Sequence, residues 1–240
     1  MLRLPCSSLT IVIYYILVLP VLGGSLTFSA STKINQWSFY FSENDSNEQL
    51  VSNLAQDSFQ KILVPHSFNL NETFGKHKTG YGWYMTTIVL DSVEGNQHYL
   101  QFEGVCLRAE IFINGQLAGK CNKSYLPFQL DITNFVNDKK SIKVLIKVDN
   151  RLLKNSFPDF NCDGWWIYGG LIRDILYVSA PKKRIDNVQF RTFYTGDDKF
   201  RLTYDFETIG IKPDSVRLII TDKEKVQIFN KCIDTRNNMN

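Results

Sequence analysis

Apolar and polar residues alternate along most of this chain with the period of two that marks a half-buried strand. The pattern is clearest where Leu107, Ala109, Ile111 and Ile113 alternate with Arg108, Glu110 and Phe112. It recurs where Ile142, Val144, Ile146 and Val148 alternate with Lys143, Leu145, Lys147 and Asp149, which predicts a strand with a mostly wet outer face. Asn114-Gly115 closes the first of these runs, and a two-residue hairpin turn needs positive φ at both central positions, which this pair supplies. The hairpin register then sets Arg108 opposite Cys121 and makes Cys106 and Cys121 diagonal neighbours roughly 7–8 Å apart. That separation exceeds disulfide reach, so the two are predicted to be free thiols unless a bulge shifts the pairing. Further strands are predicted at 37–41, 62–64, 80–90, 127–133 and 171–178, with a short helix or turn within 50–60 and a polar loop at 66–79. Residues 150–170 read as a loop of about twenty residues, longer than compact domains usually carry without a purpose.

After Pro181 the pattern changes to short alternating strands between turns, at 188–194, 200–208, 216–221 and 226–229, before a polar tail. Four strands make half of an immunoglobulin-like sandwich, which needs about seven in about 100 residues. An exposed edge and a half-open core are therefore expected. No helical heptad and no internal repeat appears, so the fold class is all-β: a β-sandwich at 25–180 and a partial one at 181–240.

Residues 1–24 have the make-up of a secretory leader. Arg3 supplies the positive charge, Leu9 to Leu22 is apolar apart from Thr10 and Pro20, and Gly23-Gly24-Ser25 offers small residues for cleavage. A membrane span needs about 20 apolar residues, so a secreted or lumenal protein is expected, with an uncleaved anchor as the alternative. Four cysteines follow the leader, and sequence cannot choose among their pairings. Three Asn-x-Ser/Thr sequons, at Asn44, Asn71 and Asn122, are acceptor sites if the source organism glycosylates.

The formal net charge is +3, and removing the leader takes away only Arg3 and leaves +2, which argues against a nucleic-acid surface. His66, His77 and His98 lie at no metal-ligand spacing from one another or from a cysteine. No nucleophile elbow supports a Ser-His-Asp assembly, and no cofactor is implied.

The order of short motifs along the chain carries more. Trp37 to Phe41, Val64-Pro65-His66, Gly82-Trp83-Tyr84, Phe102-x-Gly104-Val105, Asn114-Gly115, Pro127-Phe128-x-x-Asp131-Ile132-Thr133, Val148-Asp149-Asn150 and Gly169-Gly170-Leu171-Ile172-Arg173-Asp174 follow one another. Each is weak alone; together they resemble the N-terminal sugar-binding domain of glycoside hydrolase family 2, which includes β-galactosidases, β-glucuronidases and β-mannosidases. The resemblance covers about residues 35–180, with the start of that family's immunoglobulin-like domain over 181–240. It implies a jelly-roll sandwich that helps shape the active site of a separate catalytic (β/α)8 barrel. That barrel would hold two glutamates as a retaining pair about 5–5.5 Å apart, and the chain is expected to stop before it. Asn47-Glu48 and Asn71-Glu72 look like a barrel's Asn-Glu pair but lack any surrounding βα alternation, so they read as decoys. Assembly into homo-oligomers through these β domains is a further implication.

The resemblance also points to the stretch 161–174. An acid just before the Gly-Gly-x-x-Arg segment of the family binds a sugar hydroxyl, and Asp163 is the nearest candidate here. Counting back from Gly170 reaches Gly164, so Asp163 fits with a one-residue insertion; otherwise the role has moved to Asp159 or is absent. A carboxylate suits the task because it accepts two strong charge-assisted bonds from hydroxyls. Trp165, Trp166 and Tyr168 could stack on a pyranose ring or pack against protein. Gly169 and Gly170 read as a tight backbone passage, Arg173 and Asp174 as ion-pairing groups, and Trp37 and Trp83 as core. The chain is thus expected to be the non-catalytic, carbohydrate-binding part of a family 2 hydrolase. A free-standing lectin-like module and a purely structural relic are the alternatives.

Overall fold

In the computed structural model the described residues are 2–3, 16–17, 30–70, 78–90, 96–136, 139–153, 167–196, 199–221, 224 and 226–234. The strands in chain order are β1 Leu2–Arg3, β2 Ile16–Leu17, β3 Ala30–Lys33, β4 Gln36–Ser42, β5 Gln60–Leu63, β6 His66–Ser67, β7 Tyr81–Val89, β8 Asn96–Phe102 and β9 Arg108–Ile113. They continue as β10 Gln116–Cys121, β11 Phe128–Asp131, β12 Ser141–Asp149, β13 Gly170–Leu171, β14 Ile175–Pro181, β15 Arg184–Gly196, β16 Lys199–Ile209, β17 Ser215–Thr221 and β18 Gln227–Asp234. Two helices, α1 Glu48–Ser52 and α2 Thr133–Val136, are each about one turn long, and Gln56–Ser58 forms a 3-10 turn. None of the described helices is long and apolar enough to cross a membrane. Residues 29–180 form one compact unit, and residues 1–28 with 181–240 form the other.

In the first unit a six-stranded sheet runs β10-β9-β12-β7-β4-β5, every pair antiparallel, and a four-stranded sheet runs β11-β8-β14-β3, with β11–β8 and β14–β3 antiparallel. Alternation dictates which side chains meet between them. Ile142, Val144, Ile146 and Val148 of β12 join Tyr84 and Ile88 of β7, Ala109, Ile111 and Ile113 of β9, and Leu100 and Phe102 of β8 in one buried cluster. Each large side chain withdrawn this way contributes about 1.5–3 kcal/mol.

The outer face of the six-stranded sheet is drier than the alternation predicts. α1 and the 3-10 turn lay Val51, Leu54 and Phe59 over Tyr81, Trp83 and Leu145, which forms a second cluster with Met85 and Phe112. Leu145 is therefore buried, and Trp37 and Trp83 belong to two different clusters. The irregular sequence of 48–58 hid this cover, because about one turn of helix shows no period.

The Asn114-Gly115 turn has φ of 50° and 81°, as its sequence requires. The register differs from expectation beyond it. Gln116 and Leu117 pair with Ile113 and Phe112, the pairing slips at Ala118, and Cys121 then faces Ala109 in place of Arg108. A bulge inserts one unpaired residue and moves everything after it by one. Cys106 and Cys121 are nevertheless free, buried thiols, and burial pushes the Cys106 thiol up to about 11.

In the second unit β15 and β16 form a long hairpin and β17 pairs with β18. Leu2–Arg3 adds to the β16 edge, and Ile16–Leu17 to the β17 edge. Val216, Leu218 and Ile220 are buried, whereas Phe193, Tyr194, Tyr204 and Val226 remain exposed.

Candidate functional site

Asp163, Trp165 and Trp166 lie outside the described residues, as do Asp159 and Asn71. What the structure does describe is how the chain leaves and re-enters the sandwich on either side of that stretch. Both feet are held by buried asparagines.

On the entry side Asn150, 1% exposed, follows β12 directly. Its Oδ1 accepts from the Gly80 amide at 2.9 Å, its Nδ2 donates to the Lys78 carbonyl at 2.9 Å, and its own amide donates to the Gly80 carbonyl at 3.3 Å. On the return side Asn69, also 1% exposed, donates from Nδ2 to the Ile167 carbonyl at 2.6 Å. Its Oδ1 accepts from the Gly169 amide and the Ser67 hydroxyl, both at 2.9 Å. Each amide side chain replaces ladder bonds that an irregular, buried backbone cannot make for itself.

Gly169 and Gly170 then pass where no side chain fits. A Cβ on Gly169 would lie 2.1 Å from the Phe68 ring and 2.7 Å from the Asn150 Cβ. At Gly170, with φ of 145°, it would lie 2.3 Å from the His66 carbonyl and 2.8 Å from the Tyr84 hydroxyl. The predicted tight passage is thus a close approach of three elements. β13 pairs with β6 through Gly170–Ser67 and Leu171–His66, and Gly170 also exchanges backbone bonds with Cys106 at 3.0 Å.

Beneath this crossing the His66 Nδ1 meets the Tyr84 hydroxyl at 2.9 Å. Burial raises the Tyr84 phenol far above its ordinary value, although a backbone bond from Leu171 opposes the rise. The hydroxyl therefore keeps its proton, and it donates to Nδ1 or accepts from it according to the His66 tautomer. Burial lowers the His66 value, which favours the neutral ring.

Arg173 and Asp174 are tied into the same unit. Arg173 donates from Nη1 to the Glu103 carbonyl at 3.3 Å and the Tyr125 carbonyl at 3.2 Å. Asp174 pairs with Lys33 at 2.8 Å. The ion-pair expectation holds for Asp174, whereas Arg173 caps backbone carbonyls. Tyr168 is 40% exposed.

A separate polar cleft of about 320 Å³ opens on the outer face of the six-stranded sheet. Burial alone would raise the Asp149 carboxyl, but hydrogen bonds from Arg151 and the nearby Arg108 charge outweigh it and hold it below the usual carboxylate range. The Lys147 ammonium stands 4.6 Å from the Tyr81 ring centre and pairs with Asp45. Its positive charge meets the negative ring face there. No group of three His, Cys, Asp or Glu among the described residues is arranged to hold a metal ion.

The family model described as "Glycosyl hydrolases family 2, sugar binding domain" matches residues 35–181. The chain belongs to glycosyl hydrolase family 2. Its sugar-binding domain therefore comprises the sandwich, both buried asparagines and the glycine crossing. A Formosa agariphila protein with the provisional name β-glucuronidase is 27% identical over 241 residues, covering 96% of this chain and 28% of that protein. A β-galactosidase of Thermoanaerobacter pseudethanolicus is 26% identical over 154 residues, covering 61% of this chain and 20% of its own. Among solved structures, an uncultured Clostridium β-glucuronidase superposes with a TM-score of 0.70 at 18% identity, covering 92% of this chain and 41% of that one. At that identity the superposition speaks for the fold. The family 2 chain thus spans less than a third of the length of these two curated relatives.

Sequence reasoning reached the Gly-Gly segment and Val148-Asp149-Asn150 as motifs but gave Asn150 no task. Asn69 was hidden inside a polar loop. The only available signal was its place in Ser67-Phe68-Asn69, where an apolar residue flanked by small polar ones suggests a buried turn.

Proposed function

We propose that this family 2 chain is the non-catalytic, carbohydrate-binding and scaffolding part of a secreted β-glycoside hydrolase. In this reading Asp163 binds a sugar hydroxyl, with Trp165 and Trp166 as its apolar wall. The hydrolytic glutamates belong to a (β/α)8 barrel elsewhere in the enzyme. The observation that carries the reading is the clamp of Asn69 on Ile167 and Gly169, which delivers the chain from this stretch into the sandwich at one fixed place. A sugar-binding acid on a loop needs such a fixed support, because a displacement of about 1 Å can cost on the order of 100-fold in rate. The relatives named for β-glucuronide and β-galactoside hydrolysis support a β-linked sugar as the substrate class.

The test is to purify the chain and assay it against aryl β-glucuronides and β-galactosides while titrating free glucuronic acid and galactose by calorimetry. The expected result is no turnover, with weak sugar binding that Asp163→Ala removes. Turnover abolished by a substitution in this chain would overturn the non-catalytic role. Tight glycan binding by the isolated chain would instead favour a free-standing lectin-like module.

A further inference from the structure

Two sequons described by the structure lie at or next to one cleft. Asn44 lies in the exposed bend that follows β4, and Asn122 is the exposed residue that follows β10. Asn122 lines the charged cleft on the outer face of the six-stranded sheet, and so does Asp45, the residue after Asn44. Glu110, Lys147, Asp149 and Arg151 line the same cleft. Neither asparagine sits in a strand ladder, and neither side-chain amide is engaged by a hydrogen bond among the described residues.

We propose that Asn44 and Asn122 carry N-linked glycans, which makes the cleft side of the six-stranded sheet a sugar-bearing face that stays in water in the complete enzyme. The inference rests on the secretory part of the function proposed above. The required co-reactant is a lipid-pyrophosphate-linked oligosaccharide. The asparagine Nδ2 forms a bond to C1 of its first sugar, the C1–O bond breaks, the lipid pyrophosphate leaves with the electron pair, and the amide loses one proton. The third sequon residue supplies a hydroxyl, and Ser124 spends its own in the folded chain by donating to the Leu107 carbonyl at 3.2 Å. Transfer to Asn122 therefore precedes closure of that turn.

The physical case for the face is its chemistry as well as its sequons. Seven of the ten residues lining the cleft are charged, and they already pair with one another, such as Lys120 with Glu110 at 2.5 Å and Arg108 with Asp149 at 3.1 Å. Burying such pairs beneath another domain costs desolvation that their attraction only partly repays. Bulky, hydrated glycans at Asn122 and at Asn44 beside Asp45 leave them in water.

The experiment expresses the full chain in a eukaryotic secretory host, once with its own leader and once with a leader known to direct export. Peptide mass mapping is then run before and after peptide N-glycosidase treatment of the folded protein. The expected result is hexose and N-acetylhexosamine mass on both peptides, released without denaturant, with Asn44→Gln and Asn122→Gln each removing one glycan and leaving secretion intact. Exported protein that is unmodified at both positions overturns the proposal, and modification at one alone overturns it for the other. Glycans that resist release until the protein is unfolded overturn the assignment of an open face. Modification only behind the foreign leader overturns the secretory reading and the native glycans together, whereas exported but unmodified protein overturns the glycans alone, so the two failures are distinguishable.

Discussion

The side-chain amide of Asn69 holds the carbonyl of Ile167, a residue 98 positions later, at 2.6 Å, and the same side chain accepts from Gly169. Replacing it with leucine leaves the Gly169 amide, the Ser67 hydroxyl and the Ile167 carbonyl without this partner. Asn69→Leu should cost on the order of 2–3 kcal/mol, read as a lowered midpoint in urea. Asn69→Asp separates the local effect from general damage. Its carboxylate still accepts from Gly169 but faces the Ile167 carbonyl with negative charge, and in acid the protonated carboxyl regains a donor. The loss should therefore be larger at neutral pH than in acid, and tryptophan fluorescence should follow it because Trp165 and Trp166 adjoin Ile167 in sequence. An identical loss at both pH values would rule out the clamp.

The glycine crossing makes a second, steeper prediction. Gly169→Ala drives a methyl group to within 2.1 Å of the Phe68 ring and 2.7 Å of Asn150, both themselves buried. The expected cost is about 3 kcal/mol or more, at the upper end for overpacked sites. Gly196 is the control, since its φ is 87° and a Cβ there meets nothing within 4 Å. Gly196→Ala should cost only about 1–2 kcal/mol, the price of a left-handed residue. Chemical denaturation of the two variants side by side decides it.

Acid should weaken the first unit through His66. Its folded value is lowered by burial from 6.5, so the unfolded chain binds the proton more readily than the folded one. The stabilisation from neutral His66 is thus complete above about pH 6.5 and is lost as pH falls toward the lower folded value. Protonation would also place a second donor against a Tyr84 hydroxyl that already takes a backbone bond from Leu171. His66→Gln, which keeps a side-chain acceptor for Tyr84, should flatten stability over that window. An unchanged acid slope in the variant would exclude His66 as its source.

The thiols should react in a fixed order. Cys232 is exposed, whereas Cys106 and Cys121 are buried and burial raises the pKa of both. Iodoacetamide at pH 8 should label Cys232 within minutes and reach Cys106 and Cys121 only on unfolding, because the thiolate is the reacting form. Peptide mapping assigns each label, and early labelling of Cys106 would contradict its burial.

The alternation made the β12 and β9 strands and their inner faces readable, because period two and burial between two sheets are the same statement. The Asn114-Gly115 turn was equally plain, since few residue pairs take positive φ twice. The slip at Ala118 was invisible, because a bulge is decided by partners across the sheet and leaves no mark in the strand's own sequence. The dry cover over Trp83 and Leu145 escaped for a related reason: α1 spans only Glu48–Ser52, too few positions to show a helical face. At the site, the glycines announced themselves by type, whereas Asn69 and Asn150 look in sequence like any loop asparagine. Their role exists only once distant backbone groups have been brought to them.

Because Asn150 and Asn69 secure their two ends through side chains, the span between Arg151 and Ile167 is anchored like a bridge deck between fixed piers. Residues can be added or removed within it while the ladder bonds of β12 and β13 stay in place. The one-residue insertion that the proposed sugar contact of Asp163 requires is a change of that kind. In that reading a span of altered length re-aims the contact while the masonry on either bank is left untouched.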